Sequence, residues 1–360
     1  MKCNTCLMDS TAADFLKLGE KCNYCESLQP TDQYKHTNEF GDINSLVSRI
    51  KKDGVGKKYD CIIGVSGGVD SSYVLKVASD HNLRVLAVHM DNGWNSELAQ
   101  NNIEVVIREF GFDFYSHVID WVEYKLMMQS FFDADVIDIE LLYDNAMYAV
   151  NYNLALEYNI KWILNGINQA TEGMRLPQDW TWFKFDSKNI RDIVKQNGNY
   201  KIKTFPMMSI WKALYCKYVK KIKFVPILDY VPFSKNIALS YLTKIGYKPY
   251  PYKHYESIFT RFYQGFLLPE KFGVDKRRVH LSTLVVSGEM ERSEAEKLLA
   301  DIPYPSIKDL EVDQKFFLKK MGWNDSALLD YLAREKVEHY EYKNHYALWK
   351  KILLLRSAIR

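Results

Sequence analysis

Seven consecutive residues, Ser66, Gly67, Gly68, Val69, Asp70, Ser71 and Ser72, have the composition of a turn that holds an anion. Glycines let backbone N–H groups approach phosphate oxygens with no Cβ in the way. A helix that follows such a turn presents unpaired N–H donors, and serine hydroxyls add more. Asp70 departs from that account. A carboxylate among phosphates repels them unless it bonds backbone donors or holds Mg²⁺, so its expected role is loop ordering or metal bridging. The segment lacks the Gly-Lys-Ser/Thr ending of a Walker loop, and it is not Gly-x-Gly-x-x-Gly. A second constellation lies at the N-terminus, where Cys3-Asn-Thr-Cys6 and Cys22-Asn-Tyr-Cys25 are separated by 15 residues. Each Cys-x-x-Cys puts two thiolates on one tight turn. Two such turns facing each other complete a closed tetrahedral site, the spacing of a zinc ribbon and a structural rather than catalytic arrangement. Cys61, in an apolar run, and Cys216, in an amphipathic helix, are expected to be small buried hydrophobes.

Positioning these groups requires particular elements. Asp60–Val65 is a short apolar run that ends in Ser-Gly-Gly; helical spacing follows over Ser71–Ser79, then a second apolar run over Arg84–His89. That is strand, loop, helix, strand. Phe112–Ile119 and Lys161–Asn165 are further strands, with helical segments over Ser96–Phe110 and Leu142–Tyr158. The alternation predicts an α/β fold, a doubly wound parallel sheet with right-handed crossovers. The loop then falls where open parallel sheets bind ligands. Lys223–Leu228 reads as a last strand, and Pro226 argues against a central place for it. A helix is expected over Ile43–Lys52. Beyond the Pro249–Pro251 break the pattern turns helical over Glu256–Leu268, Asp275–Gly288, Ser293–Leu299, Ser306–Met321 and His345–Ile359. Ser293-x-x-Glu296 reads as a capping box. The expected organisation is a zinc-ribbon module over 1–35, an α/β domain over 36–248 and a helical C-terminal region over 249–360.

A chain of 360 residues exceeds the size at which single cores stop growing, and 47% hydrophobic, 26% charged and 14% aromatic residues describe a folded protein. The net charge of +3 gives no signature of a nucleic-acid binder. No run approaches the roughly 18 apolar residues of a membrane span, and the N-terminus lacks the apolar core of a signal peptide. A cytoplasmic protein with reduced thiols and no membrane partner is expected.

The seven loop residues match the PP-loop of the ATP pyrophosphatase family, which includes GMP, argininosuccinate and asparagine synthetases and tRNA-thiolating enzymes. The resemblance implies that Ser66 to Ser72 grip the pyrophosphate of ATP with Mg²⁺, with Asp70 and Ser71 at the chemistry. An oxygen of the substrate attacks the α-phosphorus, pyrophosphate leaves, and a nucleophile displaces AMP. Val88-His-Met-Asp91-Asn-Gly93 resembles the segment that meets adenosine, which assigns His89 and Asp91 to the nucleotide. Leu164 to Glu172 resembles the segment on the phosphate side, with Gly166 beside the nucleotide and Glu172 either an acid–base or Mg²⁺ residue or an exposed carboxylate.

Taken with the cysteine pairs, Lys253-His-Tyr-Glu-Ser-Ile-Phe-Thr-Arg-Phe-Tyr263 and Arg277-Arg-Val-His-Leu-Ser-Thr-Leu284 resemble the C-terminal signature of bacterial N-acetyl sugar amidotransferases. These act in surface-polysaccharide or nonulosonic-acid pathways and convert an acetamido group into an acetamidino group. Adenylylating the amide oxygen makes it a leaving group, and ammonia then expels AMP. The chain carries no Gly-x-Cys-x-Gly elbow, and Met1 is followed by Lys2, so a separate glutaminase is expected to supply ammonia. The resemblance points to one like the glutaminase subunit of imidazole-glycerol-phosphate synthase, with or without its barrel subunit. Lys253, His254, Tyr255, Arg261, Arg277 and Arg278 are candidates to meet the phosphates or a carboxylate of a sugar nucleotide. Solvated surface cations are the alternative. Trp180 and Trp182 either line a sugar face or belong to a core. Two rival functions stand beside this one: a tRNA-thiolating enzyme, which needs sulfur chemistry that Cys61 and Cys216 do not obviously supply, and a non-catalytic nucleotide-binding subunit.

Overall fold

The computed structural model describes residues 1–28, 39–250 and 255–359. At the N-terminus β1 (Lys17–Leu18) and β2 (Lys21–Cys22) form a small antiparallel hairpin that turns at Gly19, whose φ is +66°. The main sheet comprises β3 (Cys61–Gly64), β4 (Val85–Asp91), β5 (Asp113–Val118), β6 (Trp162–Asn165) and β7 (Lys223–Pro226). Their spatial order is β5-β4-β3-β6-β7, and every neighbouring pair is parallel. Pro226 ends the edge strand β7, where a missing N–H costs no ladder bond.

Alternation along β3 sends successive side chains to opposite faces. Ile62 joins a core built with the helices Trp121–Asp133, Leu141–Glu157 and Ser187–Gly198. Cys61 and Ile63 join the other core, with the helices Ile43–Gly54, Val69–Asp80, Glu97–Phe110 and Lys235–Leu242. Chain order leaves β3 toward β4 on one side and returns through β6 on the other. The strand order therefore reverses between β3 and β6, and a crevice opens there at the carboxyl ends of the strands. Both lone cysteines, Cys61 and Cys216, are fully buried.

The C-terminal helices share the first core. Phe259, Phe262 and Phe317 pack against Phe132 and Trp94 in a chain of ring contacts 4.9–6.4 Å between centroids. The helix expected over Glu256–Leu268 is two pieces, Ile258–Phe262 and a π-helical stretch Tyr263–Phe272 that contains Pro269. Proline has no N–H for the regular ladder, and the wider turn accommodates it. The expected capping box also differs. That helix, Arg292–Ala300, has Glu291 at its N-cap without a side-chain bond, and Ala295 N donates to Glu291 O at 3.1 Å, so Ser293 lies inside the first turn. Among the described residues no helix is long and apolar enough to cross a membrane.

The cysteine module is bound to the rest of the chain. The Leu7 N–H donates to Ser282 Oγ at 3.0 Å, and Arg278 Nη1 donates to Leu7 O at 2.7 Å and pairs with Asp9 at 2.8 Å. Arg292 Nη1 bonds three carbonyls of the first knuckle, those of Cys3, Asn4 and Cys6. Met174, Trp180, Val274 and Val279 complete the module's apolar core.

Candidate functional site

β3 delivers the chain to the crevice. Val65 N donates to Val88 O at 2.8 Å, which extends the ladder one residue past the strand, and the chain then turns at Gly67 with φ +85°. A Cβ at Gly67 would lie 2.7 Å from Ala99 O, so both the backbone angle and the space demand glycine. Ser66 Oγ lies 3.1 Å from Ser71 Oγ and accepts from Gly68 N at 3.2 Å, while Ser71 Oγ donates to Gly68 O at 3.1 Å. The helix Val69–Asp80 starts with Gly68 as N-cap and no side-chain cap. Its first-turn N–H groups and the positive end of its dipole are therefore available to an anion. The Ser72 hydroxyl is buried without a partner, an unused donor within the same turn. β6 closes the other side: a Cβ at Gly166 would sit within 3.0 Å of the Asp70 and Ser71 backbone. These features fit a polyphosphate.

A strap crosses the loop that the sequence did not reveal. The hydroxyls of Tyr247 and Tyr250 donate to Gly67 O at 2.9 and 3.0 Å. Burial pushes both phenols above their ordinary range, which keeps them protonated donors. Asn102, buried in the helix Glu97–Phe110, pins the strap by exchanging two 2.9 Å bonds with the Lys248 backbone. Beyond the break, Ser96 N donates to Glu256 O and Ile258 N to Trp94 O, both at 2.8 Å, about a bridge between Asn95 and Ser257. The Glu256 carboxylate then lies over the loop, 2.4 Å from where a Gly68 Cβ would stand.

His89 and Asp91 occupy the end of β4. His89 does not present a ring nitrogen to a nucleotide: the Asn95 amide donates to Nε2 at 2.9 Å, so Nδ1 carries the proton and donates to Val65 O at 2.8 Å. Burial holds the ring below the usual imidazole range, hence neutral. It is a buttress of the loop. Asp91 Oδ1 accepts from Gly93 N at 2.8 Å and from Asn95 Nδ2 at 3.2 Å. Glu172 ends a one-turn helix, Gln169–Glu172, capped by Asn168, and the C-terminal helix Arg277–Ser287 holds that turn through His280 and Ser287.

Gln169 N donates to Asp229 Oδ1 at 2.9 Å, yet burial outweighs this bond and raises the Asp229 carboxyl to about 6. The folded chain thus binds that proton more tightly than the unfolded one. The associated stability is fully present below the unfolded value of 3.8 and is lost as pH rises through about 6. Asp229→Asn removes this slope, so its urea midpoint is expected to gain on wild type between about pH 4 and about pH 7. Parallel midpoint curves for the two proteins would contradict this.

Three of the candidate sugar-binding cations serve the fold instead. Arg261 makes a two-pronged pair with Asp313 and lies over the Tyr255 ring at 4.0 Å. Arg277 pairs with Asp275 and bonds the carbonyls of Leu298, Leu299 and Asp301 at the end of the helix Arg292–Ala300. Arg278 docks the cysteine module. Helix-end carbonyls and carboxylates suit the same flat, multi-donor cation that a substrate phosphate would. Lys253 and His254 lie outside the described residues. Trp180 and Trp182 are buried in cores, Trp182 stacking on His339 at 4.9 Å.

The four N-terminal sulfurs converge. Cys3–Cys25, Cys6–Cys22 and Cys22–Cys25 are 3.6, 3.8 and 3.7 Å apart, and all four lie within 4.8 Å of one another. A tetrahedron with metal–sulfur bonds of about 2.3 Å has edges of about 3.8 Å, so the set fits a thiophilic divalent metal with no open position. Because Arg278 and Arg292 bond the knuckle backbone, stripping the metal is expected to raise hydrogen exchange in the helix Arg277–Ser287 by about tenfold or more. Unchanged exchange there after chelation would separate the module's integrity from the helix.

Residues 256–356 match the family model described as LPS biosynthesis protein WbpG-like, C-terminal domain. No curated protein matches the chain by sequence. Similar solved structures include the NH3-dependent NAD synthetase from Campylobacter jejuni in complex with the nitrate ion, 12% identical over 62% of this chain and 100% of that one, TM-score 0.31. The NMN synthetase from Francisella tularensis is 14% identical over 63% and 99%, TM-score 0.29. A 4-thiouridine synthetase in complex with RNA and ATP is 18% identical over 74% and 54%, TM-score 0.33. At such scores these likenesses bear on neither substrate nor reaction, and the fold rests on the strand order and direction described above.

Proposed function

We propose that the chain is an ATP-dependent, AMP-forming amidotransferase that converts the N-acetyl group of a sugar nucleotide into an acetamidino group. One observation carries the reading. The segment that matches a lipopolysaccharide-biosynthesis family model begins at Glu256, where the chain closes over the glycine-rich loop, so the two features belong to one crevice. In this reading the loop N–H groups and the hydroxyls of Ser66 and Ser71 hold the leaving pyrophosphate, and Asp70 orders the loop or meets Mg²⁺. Mg²⁺, when bound, supplies positive charge to the leaving group. The amide oxygen attacks the α-phosphorus; ammonia adds to the activated carbon, loses a proton, and AMP departs with the former amide oxygen. Zn²⁺ is the proposed occupant of the four cysteines, in a structural role.

Ammonia is proposed to come from a separate glutaminase, of the kind that serves imidazole-glycerol-phosphate synthase. All six cysteines are buried, four of them in the metal set, so no thiol is exposed to act as the glutaminase nucleophile or as a sulfur carrier. The test is incubation with ATP, Mg²⁺, ammonium at high pH and a panel of N-acetylated sugar nucleotides, following AMP, pyrophosphate and product mass. Loss of about one dalton from one sugar, as C=O becomes C=NH, with AMP and pyrophosphate in equal amount, is the expected result. Sulfur gained by tRNA instead, or bound ATP with no product from any acceptor, would overturn it.

A further inference from the structure

Among the described residues, no strand or helix bond holds the peptide unit between Gly67 and Gly68. The β3 ladder ends one turn earlier, where Val65 N donates to Val88 O, and the helix Val69–Asp80 takes over at Gly68 O, which accepts from Ser72 N at 3.1 Å. In between, both polar groups of the unit bond side chains. The Gly67 carbonyl accepts from the hydroxyls of Tyr247 and Tyr250 at 2.9 and 3.0 Å, and the Gly68 N–H donates to Ser66 Oγ at 3.2 Å. The N–H and C=O of a trans peptide point in opposite directions. A carbonyl held under the strap therefore turns the Gly68 N–H to the other side of the loop, where the Ser66 and Ser71 hydroxyls lie 3.1 Å apart.

With glycine on both sides, sterics alone do not fix that orientation. Turning the unit over carries the Gly68 φ from −72° into the positive region, which glycine enters freely and other residues avoid. The turned-over unit sets a carbonyl oxygen where an N–H would meet phosphate, so one movement removes a donor and adds a repulsion. The strap does more than satisfy a buried acceptor. One hydroxyl would be enough for that, whereas two occupy both lone pairs of the carbonyl and fix its direction. Each ring is also anchored. Tyr247 is buried in the core that holds the helices Val69–Asp80 and Lys235–Leu242, its N–H donates to Leu242 O at 3.1 Å, and its ring meets that of Tyr250 edge-on at 6.2 Å. Lys248, between the two tyrosines, is gripped at both backbone groups by buried Asn102.

We propose that Tyr247 and Tyr250 are positioning residues for the nucleotide: together they hold the Gly67–Gly68 peptide with its N–H toward the pyrophosphate of ATP, and without them that peptide turns over. Both act through the carbonyl they hold. Their removal should therefore weaken inorganic pyrophosphate as much as it weakens ATP, because the adenosine end of the nucleotide does not depend on this peptide. The inference rests on the reading that the loop grips pyrophosphate, and the binding of wild type to the same two ligands tests that reading separately.

The experiment is a mutant cycle read by calorimetric titration with ATP and with pyrophosphate, each with Mg²⁺. Tyr247→Phe combined with Tyr250→Phe removes two oxygens and keeps both rings, and is expected to weaken both ligands by about tenfold or more, each single change by less. Gly68→Ala supplies a readout that a merely structural strap would not move. With the strap intact, alanine should lower affinity modestly through its contact with the Glu256 carboxylate. In the doubly substituted chain it should instead raise affinity, by about threefold or more, because alanine resists the positive φ that the turned-over peptide needs. If the double variant does not fold, Tyr250→Phe, at the less buried ring, goes through the same cycle. An equal loss on Gly68→Ala in both backgrounds overturns the orienting role, and so does an ATP affinity within about twofold of wild type when both hydroxyls are gone. Wild type binds the two ligands in either case, so the reading of the loop survives; wild type that binds neither overturns both.

Discussion

Alanine at position 166 is expected to weaken ATP binding by about ten- to hundredfold while the far-UV spectrum and thermal midpoint stay close to wild type. The added Cβ would stand 2.9 Å from the Asp70 carbonyl carbon, 3.0 Å from Asp70 Cβ and 3.0 Å from Ser71 N. Two of these atoms are backbone and none is the end of a flexible side chain, so the overlap is relieved only by moving the start of the helix Val69–Asp80 away from β6. Overpacking of this kind costs about 1–3 kcal/mol, and here it falls on the geometry that receives phosphate. Gly68→Ala makes a useful contrast. Its Cβ would meet the Glu256 carboxylate, which can swing aside, so a smaller loss is expected. Calorimetric titration with ATP measures both, and a Gly166→Ala affinity within about threefold of wild type would show that the loop tolerates the displacement.

The second large effect is on stability. Asp313→Ala is expected to destabilise the chain by about 2–4 kcal/mol, because it leaves the Arg261 guanidinium, 15% exposed, without its counter-charge. Arg261 Nη2 donates to Asp313 Oδ1 at 2.5 Å, Nε donates to Oδ2, and the Tyr304 hydroxyl completes the set at 3.0 Å. Asp313 is 2% exposed, so the carboxylate itself is held away from water. The pair joins the helix Ile258–Phe262 to the helix Ile307–Met321, just beyond the residues that close over the loop. Replacing both partners, Arg261→Met with Asp313→Leu, should recover most of the loss. Urea unfolding of the single and double variants measures this, and a loss below about 1 kcal/mol for Asp313→Ala would mean the pair is better hydrated than its burial indicates.

Local signals carried much of the fold. Each of the five parallel strands falls within one or two residues of a strand-like run in the sequence; the central three, β3, β4 and β6, are buried on both faces and so read as continuous hydrophobicity. The loop was legible for the same reason: Ser66 to Ser72 is contiguous, and its chemistry depends on neighbours in sequence. The helix Trp121–Asp133 was not. Met127, Met128, Phe131 and Phe132 are all buried, so apolar residues appear on most of its circumference and blur the 3.6-residue period. Its cap did carry a signal, since Asp120 accepts from Glu123 N, as Asp186, Ser234 and Asn324 do for three other unforeseen helices. The strap was invisible because Tyr247 and Tyr250 reach Gly67 across about 180 residues, and nothing in a tyrosine near prolines says where its hydroxyl goes. The arginines misled for a related reason. Arg261, Arg277 and Arg278 have the residue type that a phosphate would select, but their partners are carboxylates and carbonyls, which for Arg261 and Arg278 lie 52 and 271 residues away and for Arg277 include neighbouring Asp275.

The bonds from Arg278 and Arg292 to the first cysteine knuckle also set a timetable. They join residues 271 to 289 positions apart, so the knuckle is made well before the arginines. At about 5–20 residues per second of synthesis, the knuckle waits roughly a quarter of a minute to a minute for its seat. During that interval a Leu7 N–H and the carbonyls of Cys3 and Cys6 face water or a chaperone, and a metal bound by the four sulfurs would be what holds them together. If the cluster takes a metal, supply of it to the nascent chain, rather than to the finished protein, is the step on which yield should depend when the protein is produced in metal-poor medium.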